Sequence, residues 1–151
     1  MTTSSETIKA RCPDEAATEE QGRLLATRLR AGSLVVLEGE LGSGKTVFVR
    51  GLARGLGVEP EAVSSPSFVL AIDHRDGNPP LLHVDLYRLP AGASLADLGI
   101  EEALDSGYVV AVEWGERLPA PLGESGWTVR LTPGRQESDR IVEITPPQET
   151  S

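Results

Sequence analysis

Residues Gly39 to Thr46 read GELGSGKT, and their types and spacing are those of a phosphate-binding loop. The stretch matches G-x-x-x-x-G-K-[ST] at every position and lies between an apolar run and a segment with helical spacing. Its glycines let the backbone turn so that successive N–H groups face an anion at the helix N-terminus, an approach that a β-carbon at Gly44 would obstruct. Lys45 can reach the β- and γ-phosphates, and the Thr46 hydroxyl can ligate Mg²⁺. The loop therefore predicts a nucleoside triphosphate site.

Two carboxylates end apolar runs that could serve such a site. The run LLHVD ends in Asp85 and the run VVAVE ends in Glu113. We expect each run to be a strand beside the strand that precedes the loop, with its acid at the carboxyl end, where such sheets bind ligands. At least one of the two acids should hold the metal, and the residues leave open which one. His83 shares a face with Asp85 by alternation, so it either orients that acid or is a structural histidine.

Three other features lie near these motifs. Trp114 directly follows Glu113, and it could pack near a nucleotide or a partner or simply in the core. The segment SSPSF offers hydroxyls, including that of Ser67, on a turn that Pro66 stiffens. Its place after the loop helix suits a nucleotide-sensing switch, although it could be an ordinary loop.

The elements that position these residues follow from periodicity. Residues 13–32 and the segment from the loop to Gly57 predict helices, and Ser94 with Asp97 predicts a capping box at the start of a third. SFVLAID and LLHVDLY flank the turn residues Asp76 to Pro79, which favours an antiparallel pair, while LVVLE, YVVAVEW, WTVRL and RIVEI predict further strands. The order predicts one three-layer α/β domain over residues 13–145, a P-loop NTPase fold with a mixed, partly antiparallel sheet. Residues 1–12 and 146–151 are predicted to be loose tails.

Composition narrows the possible settings. The chain has 151 residues with 14 basic and 23 acidic side chains, a net charge of −9. Such a chain should not bind bare nucleic acid unaided, because that affinity comes largely from neutralising phosphates. The single cysteine, Cys12, allows no internal disulfide, and neither a secretory leader nor an apolar run long enough for a membrane span is visible. We expect a cytoplasmic protein.

Four motifs together resemble one known family. GELGSGKT, SSPSF, HVDLYRL and VEWGERL, in this order and spacing, are similar to those of the bacterial TsaE family, the P-loop ATPase of tRNA threonylcarbamoyladenosine biosynthesis. The resemblance spans residues 13 to about 144. It implies a Mg²⁺-dependent ATPase that docks on the TsaB and TsaD proteins, which modify A37 of tRNAs that read ANN codons. ATP hydrolysis would reset that complex between turnovers, and tRNA would be reached only through the partners.

The resemblance also implies roles for individual residues. Thr46 and Glu113 would be Mg²⁺ ligands, Asp85 a near-metal or water-orienting acid, and Lys45 the phosphate clamp. The predicted catalytic set consists of Lys45, Asp85 and Glu113. Ser67 matches the switch position, and Thr18 resembles a nucleotide-contacting residue. Either Arg135 or Arg140 would match the last basic segment of the family. The predicted nucleotide-binding residues are Thr18, Gly39, Glu40, Leu41, Gly42, Ser43, Gly44, Lys45, Thr46, Val47, Ser67, Trp114 and Arg135.

Two positions depart from the family pattern. Ser67 stands where the family often has Thr, which keeps the hydroxyl. Gly115 stands where the family often has Pro, and we expect the glycine only to loosen the turn after Trp114.

Other functions share the loop. A small-molecule kinase usually needs an acceptor pocket and an arginine-bearing lid, for which this chain has little spare length. A regulatory GTPase would need a guanine-reading [NT]-K-x-D segment, and neither lysine of this chain lies in one, which favours ATP. A nucleotide-binding module without turnover of its own stays open, because P-loop positioning alone gives very slow hydrolysis.

Overall fold

A seven-stranded mixed sheet forms the centre of the computed structural model, which describes residues 6–40, 42–59, 63, 71–87, 89 and 98–147. The strands are β1 (Ile8–Cys12), β2 (Leu34–Glu38), β3 (Ala71–His74), β4 (Leu81–Asp85), β5 (Val109–Glu113), β6 (Trp127–Pro133) and β7 (Arg140–Thr145). Their order across the sheet is β1-β7-β6-β2-β5-β4-β3. β2 is parallel to β5 and β6, and β4 is parallel to β5. The pairs β1–β7, β6–β7 and β3–β4 are antiparallel, which confirms the predicted mixed sheet.

Helices cover both faces of the central strands and make the three predicted layers. They are α1 (Glu15–Ala26), α2 (Lys45–Gly55), α3 (Ile100–Asp105) and α4 (Ala120–Glu124). Because successive side chains of a strand point to opposite faces, Val35 and Leu37 of β2 join the core under α1 and α2, whereas Leu34 and Val36 join the core on the other face. Strands buried on both faces need continuous apolar runs, as LVVLE and VVAVE are.

The close packing of α1 against α2 brings α1 to the loop. A β-carbon on Gly51 would overlap the backbone carbonyl of Glu19, and one on Gly22 would overlap the carbonyl of Phe48. The two backbones can therefore approach only because these positions carry no side chain. One consequence is that the buried side chain of Thr18 lies beside Gly44.

Strand β1 corrects the prediction of a loose tail up to residue 12. It pairs with β7 from Ile8 opposite Ile144 to Cys12 opposite Arg140, and Cys12 is buried. The segment IKARC carries only a weak apolar signal, and Ile8 is 46% exposed. Its strand conformation comes from the backbone bonds that β7 offers, which a single segment does not reveal.

Other predicted elements differ in their bounds. The helix expected from Ser94 begins at Ile100, because Gly99 has a left-handed conformation with a φ of 73°. The capping residues Ser94 and Asp97, residues 67–70 of the predicted strand SFVLAID and the end of the C-terminal tail lie outside the described residues. Leu24 of α1 is 43% exposed, so this apolar side chain lies outside the core. Among the described residues, no helix has the length and apolar character that crossing a membrane requires.

Candidate nucleotide-binding site

The loop enters α2 with the geometry that an anion site needs. Gly39, Gly42 and Gly44 have positive φ angles of 156°, 78° and 101°, which glycine adopts without strain. In the described part of the chain no side chain caps α2, and its first turn carries no acid. The N–H groups of that turn are therefore available to a ligand at the positive end of the helix dipole. A β-carbon on Gly44 would meet Leu131 and Thr18 only at ordinary contact distance, so the φ angle is what this structure requires of Gly44.

The Lys45 ammonium lies within the loop. Its Nζ donates to the carbonyl oxygens of Gly39 and Glu40, the second at 3.0 Å, and lies 3.5 Å from Ser43 Oγ. Burial lowers the pKa of Lys45 below its usual range. The carboxylates of Glu113, Glu116 and Asp85 oppose that shift, the first most strongly. A buried cation beside the helix N-terminus is well placed to attract a polyphosphate.

Glu113 is the acid that meets the loop helix. Its Oε2 accepts a hydrogen bond of 2.9 Å from Thr46 Oγ1, and the glutamate is only 3% exposed. This contact follows from strand order, because β5 lies directly beside β2 and ends level with it. The structure therefore brings Thr46 and Glu113 together, and their role as Mg²⁺ ligands stays a prediction.

His83 contacts Glu113, which replaces the expectation that it orients Asp85. Its Nε2 lies 2.6 Å from Glu113 Oε2, and the imidazole is fully buried. His83 and Asp85 lie on one face of the sheet, as alternation predicted, and Glu113 lies on that same face, which packs against α2. The partner of His83 follows from the β4–β5 register, which places His83 opposite Ala111 and within reach of Glu113.

Asp85 lies one strand further from the loop than expected. β5 separates β4 from β2, so the prediction that both acids end strands beside β2 is wrong for Asp85. The aspartate is opposite Glu113 in the β4–β5 register and is 2% exposed. Its Oδ1 accepts a 2.9 Å hydrogen bond from the Tyr87 N–H. Asp85 therefore lies on the far side of Glu113 from the loop.

Trp114 forms a wall of the site. It has a left-handed backbone with a φ of 60°, which is rare for a bulky residue and is often found at functional sites. Its ring centroid lies 4.3 Å from Lys45 Nζ and 4.9 Å from the ring of Tyr87. Arg117 donates to the carbonyl of Tyr87 at 2.8 Å and so ties the end of β4 to the turn after β5. Trp114 also packs against the core cluster that contains Val36, so its ring contacts both the site and the core, two of the places that the sequence left open.

The basic segment before β7 contributes Arg140 to the loop. Its guanidinium donates to the carbonyl oxygens of Ser43 and Gly42, each at 3.0 Å. Arg135 is exposed and lines neither of the two hollows that border the loop. Of the two arginines that the sequence left open, Arg140 is therefore the one that contacts the loop. Nucleotide binding by Arg135 stays a prediction.

Two hollows in the described part of the chain border the loop and share lining residues. A cleft of about 350 Å³ is lined by the P-loop residues from Gly42 to Val47 and by Glu15, Asp85, Tyr87, Glu113 and Trp114. A smaller one of about 160 Å³ is lined by Glu15, Thr18, Gly42, Gly44, Val47, Ser138 and Arg140. Another hollow, of about 720 Å³, lies between α3 and α4 and is mostly apolar, with none of the motif residues in its lining. The chemistry of the lining residues therefore favours the loop over this apolar hollow. Leu41 and Ser67 lie outside the described residues.

Comparison with known proteins places this site in a family. The family model of the threonylcarbamoyl adenosine biosynthesis protein TsaE matches residues 12–142. The chain is 51% identical over 116 residues to the tRNA threonylcarbamoyladenosine biosynthesis protein TsaE of Streptomyces coelicolor, covering 74% of this chain and 76% of the relative. It is 41% identical over 124 residues to the protein of the same name from Treponema pallidum, covering 80% and 90%. The chain belongs to the TsaE family.

A solved structure supports the fold of this TsaE chain. The crystal structure of Bacillus subtilus YdiB superposes with a TM-score of 0.73 at 27% identity, covering 95% of this chain and 87% of the other. The resemblance seen in the four motifs is thereby confirmed, as are the P-loop NTPase fold and the link of the family to nucleotide binding and tRNA modification.

Gly115, one of the two departures from the family pattern, has a structural role beyond the expected loosening of the turn. A β-carbon on Gly115 would overlap the side chain of Val36 in β2. Gly115 therefore lets the turn after Trp114 lie against the sheet, and it does more than loosen that turn. Two contributors to this TsaE site had no assigned role in the sequence: Tyr87 and Arg117. They lie within the motifs HVDLYRL and VEWGERL, so the motifs were the available signal.

Proposed function

We propose that this TsaE chain is a Mg²⁺-dependent ATPase that supports the TsaB–TsaD complex in forming N6-threonylcarbamoyladenosine at position 37 of tRNAs reading ANN codons. It acts in the cytoplasm and reaches tRNA only through its partners, in keeping with a net charge of −9. Family membership supports the pathway, since the relatives are named as tRNA threonylcarbamoyladenosine biosynthesis proteins.

The single observation that carries the ATPase proposal is the contact between Thr46 and Glu113. A P-loop hydroxyl and a strand-end carboxylate meet at 2.9 Å in a cleft that Lys45 and Asp85 also line. In P-loop NTPases a hydroxyl at this loop position and an acid from a neighbouring strand hold the metal, and the lysine meets the β- and γ-phosphates. Two oxygen groups and a lysine ammonium that lie in one cleft support the proposal that they hold a metal ion and a polyphosphate.

The donor set fits Mg²⁺. Mg²⁺ in nucleotide sites uses one or two protein oxygens and completes its shell with phosphate oxygens and water. Thr46 and Glu113 would hold it, with Asp85 beside them, and nowhere in the described part of the chain do three His, Cys, Asp or Glu side chains form a dedicated metal cage. When bound, Mg²⁺ would supply neutralising charge to the phosphates.

The remaining roles belong to this chain's own groups. In-line attack of water on the γ-phosphate develops charge that the loop amides and Lys45 stabilise. Asp85 orients the attacking water, and Trp114 covers the Lys45 ammonium. Positioning without a trans-acting group gives slow turnover, so the partner complex should provide the acceleration.

ATP hydrolysis with and without the cognate TsaB and TsaD proteins tests the proposal. We expect strong stimulation by the partners, loss of productive turnover in Lys45→Ala with the fold retained, and loss of Mg²⁺-dependent turnover in Glu113→Ala. Arg75→Ala, which removes an exposed surface arginine, is the matched control and should behave as wild type. Wild-type turnover of Lys45→Ala in the presence of partners would refute the assignment.

Two other functions predict different results in the same assay. A small-molecule kinase would transfer phosphate to a metabolite instead of to water. A nucleotide-binding regulatory module would bind ATP and show no turnover with or without the partners.

A further inference from the structure

Arg140, the first residue of β7, makes long-range contacts with the P-loop backbone. From β7 its Nε donates to the Ser43 carbonyl and its Nη2 donates to the Gly42 carbonyl, both at 3.0 Å. These residues lie 97 and 98 positions away in the sequence. One side chain from a distant part of the sequence therefore makes two hydrogen bonds to the P-loop backbone.

The guanidinium is itself held in place. Its Nη1 donates to the carbonyl oxygens of Glu137 at 2.7 Å and Asp139 at 2.8 Å. The segment carrying these carbonyls is anchored in turn, because the buried Asp139 carboxylate accepts bonds from Arg11 of β1 at 3.0 Å and from the Gln136 N–H at 3.3 Å. Because the guanidinium is planar and rigid and is hydrogen-bonded on both sides, it can fix the orientation of the loop carbonyl groups that it contacts.

The direction matters because a trans peptide points its C=O and its N–H to opposite sides. The Gly42 carbonyl shares a peptide plane with the Ser43 N–H, which closes the loop by donating to the Glu40 carbonyl at 3.0 Å. The Ser43 carbonyl shares a plane with the N–H of Gly44, the N-cap residue directly before α2. Holding both carbonyls fixes the rotation of both planes, and with it the loop turn and the N–H at the helix N-terminus.

We propose that Arg140 is a positioning residue for the P-loop, acting on nucleotide affinity through the peptide planes 42–43 and 43–44 and not through contact with the nucleotide. The inference rests on the proposed function only in taking this loop as the phosphate site. It also gives β1 a role, since β1 supplies Arg11 to the anchor of Arg140.

ATP binding by calorimetry to the full chain, with thermal unfolding measured on each variant, tests this role. Arg140→Ala should weaken ATP binding roughly 10- to 100-fold, as expected when two bonds from a charged donor are lost. Arg140→Lys keeps the charge but not the fork, so most of the loss should persist. Millimolar methylguanidinium should recover affinity in Arg140→Ala, an effect that a general loss of stability would not show. Arg75→Ala should bind ATP as wild type does.

The outcomes separate this inference from the proposed function. Wild-type affinity in Arg140→Ala overturns it, and so does full affinity in Arg140→Lys, which would mean that charge alone matters. If Arg140→Ala does not fold, Arg140→Lys decides between fork and charge. Loss of binding in Lys45→Ala together with wild-type binding in Arg140→Ala refutes only this inference, whereas wild-type binding in Lys45→Ala refutes the phosphate site itself.

Discussion

Replacing His83 probes how the site keeps a buried acid in place. The histidine is fully buried, Glu113 is 3% exposed, and a 2.6 Å contact joins Nε2 to Oε2. His83→Phe removes the polar contact at similar volume, whereas His83→Gln can keep an N–H near the position of Nε2. The two variants therefore separate the hydrogen bond from the packing of the ring.

The expected magnitude follows from the charge and the burial. A hydrogen bond to a charged group contributes about 1.5–3 kcal/mol, and its loss leaves the buried Glu113 carboxylate with the Thr46 hydroxyl as its side-chain donor in the described part of the chain. We expect His83→Phe to lower the free energy of unfolding by about that amount more than His83→Gln does. In a Glu113→Gln background the difference should fall to about 0.5–1.5 kcal/mol, the contribution of a neutral hydrogen bond.

Urea-induced unfolding of the four single and double variants, followed by far-UV circular dichroism, measures these differences. The stabilising role of the His83–Glu113 hydrogen bond is refuted if His83→Phe and His83→Gln lower the free energy of unfolding equally, or if their difference is unchanged in the Glu113→Gln background. Either result would mean that His83 stabilises the core as an ordinary buried ring.

Three further predictions concern stability. Burial, followed by the charge of His83, lowers the pKa of His74 from 6.5, so the unfolded chain binds a proton first and stability should fall as the pH drops below about 6.5; unfolding midpoints across pH should show this slope, and His74→Gln should flatten it. Gly51→Ala should cost about 1–3 kcal/mol by overpacking α1 on α2, while Gly123→Ala, with only ordinary contacts, should be near neutral in the same urea titration. Gly115→Ala should cost a similar 1–3 kcal/mol, and a double-mutant cycle with Val36→Ala should show the cost shrinking; an equal cost in both backgrounds would contradict the overlap at Val36.

Several features of this protein were predictable from short segments of its sequence. The P-loop was readable because its chemistry needs glycines, a lysine and a hydroxyl at fixed spacing within one short segment. Asp85 and Glu113 could be proposed as site acids because each ends an apolar run, and parallel strands present their carboxyl ends at one edge of the sheet. The mixed sheet followed from the same periodicity, and the turn at Asp76 to Pro79 indicated its antiparallel hairpin.

Tertiary structure decided which of these residues meet. Glu113 contacts Thr46 because β5, and not β4, lies beside β2, and His83 serves Glu113 because of the β4–β5 register. Arg140 rather than Arg135 bonds the loop, across 97 residues of chain, and β1 exists because β7 offers it a paired edge. Motifs and periodicity act within a few residues, so they specify what each segment can be. Strand order, register and the partners of buried polar groups depend on contacts between segments far apart in the chain, and those contacts exist only once the whole sheet has formed.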